Sequence, residues 1–185
     1  MGVTFLGKDN DTNNMKIRYN DELLQYELLN TIEFNSTRKR MTQVFREPDG
    51  RICVMCKGAD SIIFPLLNQS NQNLIQQTNQ YVDDFARSGL RTLLFAEKYI
   101  SEDEYLSWNI EFAAAANSLE NREEKLDKCA EMLEKDFELI GSTAIEDKLQ
   151  DGVPETIAKI RETGIKLWVL TGDKIETAIN IGYSC

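Results

Sequence analysis

The chain has 185 residues, 42% hydrophobic and 28% charged, which suits a globular chain with one domain and part of a second. Its net charge of −10 opposes nucleic-acid backbones, so we expect no nucleic-acid partner. The lack of histidine excludes a Ser-His-Asp triad and histidine-containing zinc sites. No apolar run approaches the roughly 18 residues of a transmembrane helix, and no signal peptide follows Met1, which predicts a soluble chain.

The first part of the chain has the pattern of an antiparallel sheet. Residues 1–14 are rich in Asn and Asp, and we expect them to form a mobile lead-in. The turn Pro48-Asp49-Gly50 predicts a hairpin, because Pro presets the turn dihedral and Gly accepts a positive φ. Four strands are predicted around it, over residues 15–19, 26–34, 41–47 and 51–57.

Helices and two further strands follow the hairpin. Leu74, Ile75 and Val82 keep helical spacing, which predicts a helix that ends at Gly89. Ser101 with Glu104 has the pattern of a capping box that opens a second helix. The predicted helices cover residues 72–88, 101–118 and 122–135, and the strands cover 90–99 and 137–145.

The pattern changes near residue 143, where we place a domain boundary. A helix opened by Pro154, a stop at Gly164, a strand over 165–170 and a helix from Lys174 form a βαβα series, which implies parallel pairing. We therefore predict an α+β domain over 1–143, an antiparallel sheet with flanking helices, and the truncated start of an α/β domain over 144–185. Residues from about 144 onward are expected to be mobile or ordered only through a neighbour, because the apolar 165–170 segment has too few partners to be buried.

Cys53 and Cys56 have the C-x-x-C spacing of redox and zinc sites. They also lie in a predicted strand, where residues three apart point to opposite faces. We therefore interpret them as packed free thiols in a reducing compartment.

Three segments are candidates for phosphate or nucleotide chemistry. Phe34 precedes the basic cluster 38–40, Lys57-Gly58-Ala59 follows a strand with room for a close ligand, and 171–174 follows an apolar strand. Each segment also has a purely structural interpretation. Phe34 could be a core residue beside a solvated basic face, Lys57-Gly58-Ala59 could be an ordinary turn at a strand end, and 171–174 could be the cap of a helix. No G-x-x-x-x-G-K-[ST] or G-x-G-x-x-G motif is present, which excludes the usual forms of those nucleotide sites.

The order of the motifs is more specific than any single one. They are Glu33-Phe-Asn-Ser-Thr-Arg-Lys-Arg-Met41, Lys57-Gly-Ala-Asp60, Gly89-Leu-Arg-Thr-Leu93, Ile145-Glu-Asp-Lys-Leu-Gln-Asp-Gly-Val-Pro-Glu-Thr-Ile157 and Trp168-Val-Leu-Thr-Gly-Asp-Lys174 with its continuation to Cys185. This series, over about residues 26–185, resembles the cytoplasmic region of P-type ATPases. The first, fourth and last motifs resemble those of the phospholipid flippases, the type IV class.

The resemblance implies a role for each matching residue. Phe34 would stack on adenine, Ser36 and Lys39 would line the same pocket, and Lys57 would lie deep beside the nucleotide. Arg91 with Thr92 would reach the phosphate side. The phosphorylation-domain residues Thr171, Gly172 and Asp173 would meet the terminal phosphate only after domain closure.

The resemblance also implies a function, the binding of ATP, as Mg-ATP, by a cytoplasmic domain of an integral membrane phospholipid translocase. Phospholipid and membrane would be partners of the parent protein. The resemblance leaves open whether the parent protein also binds an accessory subunit. The family's nucleophilic Asp-Lys-Thr-Gly and its Gly-Asp-Gly magnesium motif are not found here. We therefore expect a fragment that binds nucleotide without turnover and carries no catalytic residue or metal ligand. A stand-alone phosphatase-like α/β hydrolase and a non-catalytic interaction module are the alternatives.

Overall fold

Over the residues that the structure describes, the chain folds around a seven-stranded sheet whose strands follow one another in chain order. A computed structural model describes residues 2–9, 11–146, 149–172 and 175–185. The strands are β1 (Val3–Lys8), β2 (Asn14–Tyr19), β3 (Glu22–Ile32), β4 (Arg40–Arg46), β5 (Ile52–Gly58), β6 (Leu90–Ile100) and β7 (Glu138–Glu146). The helices are α1 (Asp60–Ile63), α2 (Gln72–Arg87), α3 (Glu102–Ala116), α4 (Arg122–Leu133), α5 (Val153–Glu162) and α6 (Ile175–Ser184).

Neighbouring strands from β1 to β6 are all antiparallel. The predicted hairpin joins β4 to β5: the Gly50 amide donates to the Glu47 carbonyl at 2.9 Å, and Gly50 has a φ of +86°. That left-handed conformation favours glycine. The predicted α+β class, an antiparallel sheet with flanking helices, is confirmed.

The two faces of strands β4 to β6 differ in burial. One face carries the cross-strand row Thr42, Cys56 and Ala96, all buried, because alternate residues of a strand point to the same side. Helix α3 lies against β3 on this side, since Tyr105 donates from its hydroxyl to Asn30 Oδ1 at 2.8 Å. Helices α3 and α4 are tied together where Trp108 Nε1 donates to the Cys129 carbonyl at 2.8 Å.

The chain divides into two compact units. The first contains residues up to 71 and 94–140, and it holds β1 to β5, most of β6, α3 and α4. The second contains residues 72–93 and 141–185, and in it Asn180 Nδ2 on α6 donates to the Arg87 carbonyl at the end of α2, at 3.1 Å. That residues 144–185 begin a phosphorylation domain stays a prediction. Among the described residues, no helix has both the length and the apolarity needed to cross a membrane.

The lead-in at residues 1–14 was expected to be mobile, and the structure instead forms β1 there. Val3 pairs with Tyr19 and Phe5 pairs with Ile17 on β2. β1 contains no Asn or Asp, and the Asn- and Asp-rich composition of the lead-in comes from the residues that follow this strand. The composition of 1–14 as a whole therefore concealed the backbone pairing of β1.

The strand predicted over 165–170 is not formed. These residues are irregular, and Trp168 and Leu170 are 83% and 94% exposed. The prediction of a strand was wrong, although the expected exposure of its apolar side chains is confirmed. An apolar run becomes a strand only when neighbouring strands satisfy its backbone, and a parallel strand also needs cover on both faces.

Candidate functional site

The loop between β3 and β4 presents three of the predicted site residues to solvent. Asn35 closes it: its Oδ1 accepts from the Arg38 amide at 2.6 Å, and its carbonyl accepts from the Lys39 amide at 2.8 Å. Ser36 lies within this turn and is exposed. Phe34 is 61% exposed, so the alternative that it is a core residue is excluded.

Lys39 and Lys57 lie at the same end of the sheet. Lys57, the residue before the end of β5, pairs with Met41 on β4, and both lysine side chains are exposed. The Ala59 amide donates to the Lys39 carbonyl at 3.2 Å, and a Cβ on Gly58 would lie 2.7 Å from that oxygen. Gly58 was expected to admit a ligand. That expectation stays a prediction, and the structure adds that Gly58 admits the backbone of Lys39, so that the backbones of Lys39 and residues 57–59 lie close together.

The three cations of the basic cluster at 38–40 differ in solvent exposure. Arg38 and Arg40 turn inward to the carboxylate of Glu134, which follows α4. Their charge is therefore compensated, and Lys39 is the exposed cation of the three. Sequence reasoning missed Glu134 because nothing near it in the chain marks it, and its partners are more than 90 residues away.

A cleft of about 490 Å³ opens beside Phe34. Its apolar wall comes from α3 and α4, and Trp108 stacks on one wall residue, Phe112, with ring centroids 4.8 Å apart. The lining residues are Thr31, Ile32, Glu33, Phe34, Asn35, Thr37, Arg38, Phe112, Ala116, Arg122, Glu123, Leu126 and Asp127. The structure thus brings Phe34 together with α3 and α4, and Lys39 together with Lys57.

The remaining predicted site residues belong to the second unit. Arg91 is exposed and Thr92 half-buried at the start of β6. Thr171 and Gly172 are exposed in the irregular segment before α6. Asp173 lies outside the described residues.

The cysteine pair is not a redox or metal site in the part of the chain that the structure describes. Cys53 and Cys56 are buried free thiols, as predicted, and no group of three potential metal ligands occurs among the described residues. Burial raises the pKa of Cys53 to about 12, with the Glu97 carboxylate adding to the effect. It also raises the pKa of Cys56 to about 11, against the opposing effect of a hydrogen bond with Thr42. Both thiols stay protonated near neutral pH and are poor nucleophiles.

Comparison with known proteins identifies the family. The model of the P-type ATPase cytoplasmic domain N matches residues 10–152. The chain belongs to this family. The predicted resemblance to the cytoplasmic region of P-type ATPases is therefore confirmed.

Curated relatives share about half of the residues. The chain is 53% identical over its whole length to phospholipid-transporting ATPase DNF1 of Chaetomium thermophilum and covers 12% of that protein. It is 51% identical over its whole length to phospholipid-transporting ATPase DRS2 of Saccharomyces cerevisiae and covers 14%. Probable phospholipid-transporting ATPase 5 of Arabidopsis thaliana is 50% identical over 87% of the chain, which covers 13% of it. The chain therefore spans about an eighth of the length of these relatives.

Proposed function

We propose that this chain binds ATP through the loop between β3 and β4 and the end of β5. Phe34 stacks on the adenine ring, with Ser36 beside it, and Lys39 and Lys57 supply positive charge to the phosphates. The observation that carries the proposal is the exposure of an aromatic ring and two lysines at one end of the sheet, in a chain whose net charge is −10. An exposed aromatic face and local cations suit a nucleotide.

The parent protein is then an ATP-driven phospholipid translocase, a proposal supported by the similarity to phospholipid-transporting ATPases. It works through an aspartyl-phosphate: an Asp carboxylate of the parent protein attacks the γ-phosphorus of ATP, the bond to the β–γ bridging oxygen breaks, and ADP leaves. Arg91 and Thr92 serve the phosphate side, and Thr171, Gly172 and Asp173 reach the terminal phosphate once domains close. Phospholipid and a membrane are partners of the parent protein.

Mg²⁺ accompanies the nucleotide in this proposal. Apart from Asp173, which lies outside the described residues, the residues that we assign to ATP are cations and neutral groups, and the described residues hold no group of three metal-ligating side chains. This donor set fits the phosphates and not the metal, so we assign no Mg²⁺ ligand to this chain.

The test is an ATP titration by calorimetry with a matched pair of phenylalanine variants. We expect ATP and ADP to bind with a Kd on the order of 0.1–1 mM, about 4–5.5 kcal/mol. Phe34→Ala loses roughly 1–3 kcal/mol, because base–aromatic stacking contributes that much. Phe5, which is 60% exposed on β1, is the control, and Phe5→Ala keeps wild-type affinity. Equal binding by Phe34→Ala and wild type contradicts the assignment.

Labelling separates the proposal from its alternatives. With ATP labelled at the γ-phosphate, the purified chain takes up no acid-stable label and releases no phosphate. Phosphate release supports a stand-alone phosphatase instead. A folded chain that binds neither ATP nor ADP supports a non-catalytic interaction module.

A further inference from the structure

Glu134 is a buried carboxylate surrounded by donors from β4 and the loop before it. It is 1% exposed, and Arg38 Nη2 donates to its Oε1. Thr42 Oγ1 donates to the same oxygen at 2.5 Å, and Arg40 Nε donates to Oε2 at 2.7 Å. Three donors from one chain segment thus converge on a single side chain.

This carboxylate occupies an unfavourable position by itself. It directly follows α4, where its amide donates to the Ala130 carbonyl at 2.8 Å. The C-terminal end of a helix carries partial negative charge, and burying a carboxylate costs free energy. Replacing a whole buried ion group by apolar residues is often neutral or stabilising, whereas removing one partner leaves a buried charge uncompensated. Glu134 and the two arginines therefore have to be considered as one unit.

The two arginines extend the arrangement into the loop. Arg38 Nη1 donates to the Glu33 carbonyl at 3.2 Å, and that carbonyl belongs to the peptide bond directly before Phe34. Arg40 Nη1 donates to the Arg38 carbonyl at 3.2 Å, in the peptide bond directly before Lys39. Each arginine thus holds the peptide group that precedes an exposed residue of the proposed nucleotide site.

We propose that Glu134 is a positioning residue for the loop over 33–39. It fixes Arg38 and Arg40, and through them it fixes the backbone orientation with which Phe34 and Lys39 meet a nucleotide. This backbone orientation matters because a binding site whose residues are held loosely has a lower affinity, even when all its contact residues are present. The nucleotide part of this inference rests on the proposed function, whereas the ordering of the loop does not.

The experiment compares Glu134→Gln with Glu131→Gln, which removes the same charge from an exposed position one turn earlier on α4. Amide hydrogen exchange and an ATP titration are measured on both. In Glu134→Gln the arginines lose the charge of the carboxylate between them, so the hydrogen-bonded amides of Arg38 and Lys39 exchange about tenfold faster or more. ATP binds about three- to tenfold more weakly, because the contact residues stay present but are held less firmly. Glu131→Gln leaves both measurements unchanged.

A double variant distinguishes positioning from general destabilisation. If Glu134 acts through the aromatic ring, Glu134→Gln causes little further loss of ATP affinity in a Phe34→Ala background, because coupled residues are not additive. Full additivity of the two losses overturns the positioning role. Wild-type exchange and wild-type affinity in a folded Glu134→Gln chain overturn it as well.

A milder pair of variants keeps the inference testable if Glu134→Gln does not fold. Thr42→Val keeps the shape of this fully buried side chain and removes one donor to Glu134, whereas Thr42→Ser keeps the hydroxyl. Thr42→Val gives faster exchange in the loop, and Thr42→Ser does not. Identical loop exchange in the two variants contradicts the proposal. A wild-type chain that binds no ATP disproves the proposed function, and loop exchange alone then decides the role of Glu134.

Discussion

Strand β5 and the segment over 165–170 are both short apolar runs with β-prone residues, and they have opposite fates. Ile52, Cys53 and Val54 on β5 are buried, and β5 lies between β4 and β6. Ile165, Trp168 and Leu170 are exposed and irregular. The difference lies in the partners and not in the run itself. A strand needs neighbours that satisfy its backbone, and its side chains need a second layer to cover them.

Amide hydrogen exchange gives the largest expected contrast between the two regions. Amides of residues 52–58 exchange through global unfolding, with opening free energies of about 5 kcal/mol or more. Those of residues 165–170 open at about 0–1 kcal/mol, because their side chains are exposed and no strand forms there. Equal protection of the two segments in a proven monomer would show that 165–170 has found partners within one chain.

A matched pair of isoleucine truncations tests the same contrast through stability. Ile52 is 2% exposed and Ile165 is 59% exposed. Ile52→Ala lowers the free energy of unfolding by about 2–5 kcal/mol, because it removes buried methylenes and leaves a cavity. Ile165→Ala changes it by less than about 0.5 kcal/mol. The measurement is urea denaturation, and a loss above 1 kcal/mol in Ile165→Ala would contradict the exposure of the segment.

The sequence predicted most elements of the first unit, because hairpins and amphipathic helices leave local signals. The capping box is one: the Glu104 amide donates to Ser101 Oγ at 3.2 Å, as its spacing predicts. Partner-dependent features left no such signal. Whether residues 165–170 form a strand depends on other strands that would lie beside them. In the same way, β1 forms because it pairs with β2.

The candidate site shows the same limit. Phe34, Lys39 and Lys57 were identified from the residues around them and from the resemblance. The pairing of Arg38 and Arg40 with Glu134 was not, because the residues meet only after α4 has packed against the sheet. Sequence reasoning therefore counted three cations as one exposed cluster, and the structure exposes one of them.

The buried thiols of β5 predict a smaller, pH-dependent effect. The pKa of Cys53 and of Cys56 is raised by burial, to about 12 and about 11, above the ordinary thiol value. Their contribution to stability is therefore fully present below the unfolded pKa of about 8.5–9 and is lost as pH rises through the folded values. From pH 7 to pH 10 we expect each thiol to lower the free energy of unfolding by about 1–2 kcal/mol.

Urea denaturation across this pH range measures that effect. Between pH 7 and pH 10 the free energy of unfolding falls less in Cys56→Ala than in the wild type, because the Cys56 thiol is no longer there to ionise. The packing that this variant loses lowers the free energy of unfolding by the same amount at every pH. A wild-type chain and a Cys56→Ala chain with the same slope above pH 9 would show that this thiol ionises as freely in the folded protein as in the unfolded one.

The central claim, that the loop before β4 and the end of β5 form the ATP site, is tested most directly by NMR. ATP is titrated into the ¹⁵N-labelled chain while backbone amide shifts are followed. We predict saturable shifts with a Kd on the order of 0.1–1 mM, largest at residues 34–39 and at 57–59. A titration without saturable shifts, or with shifts confined to α5 and α6, would contradict the claim.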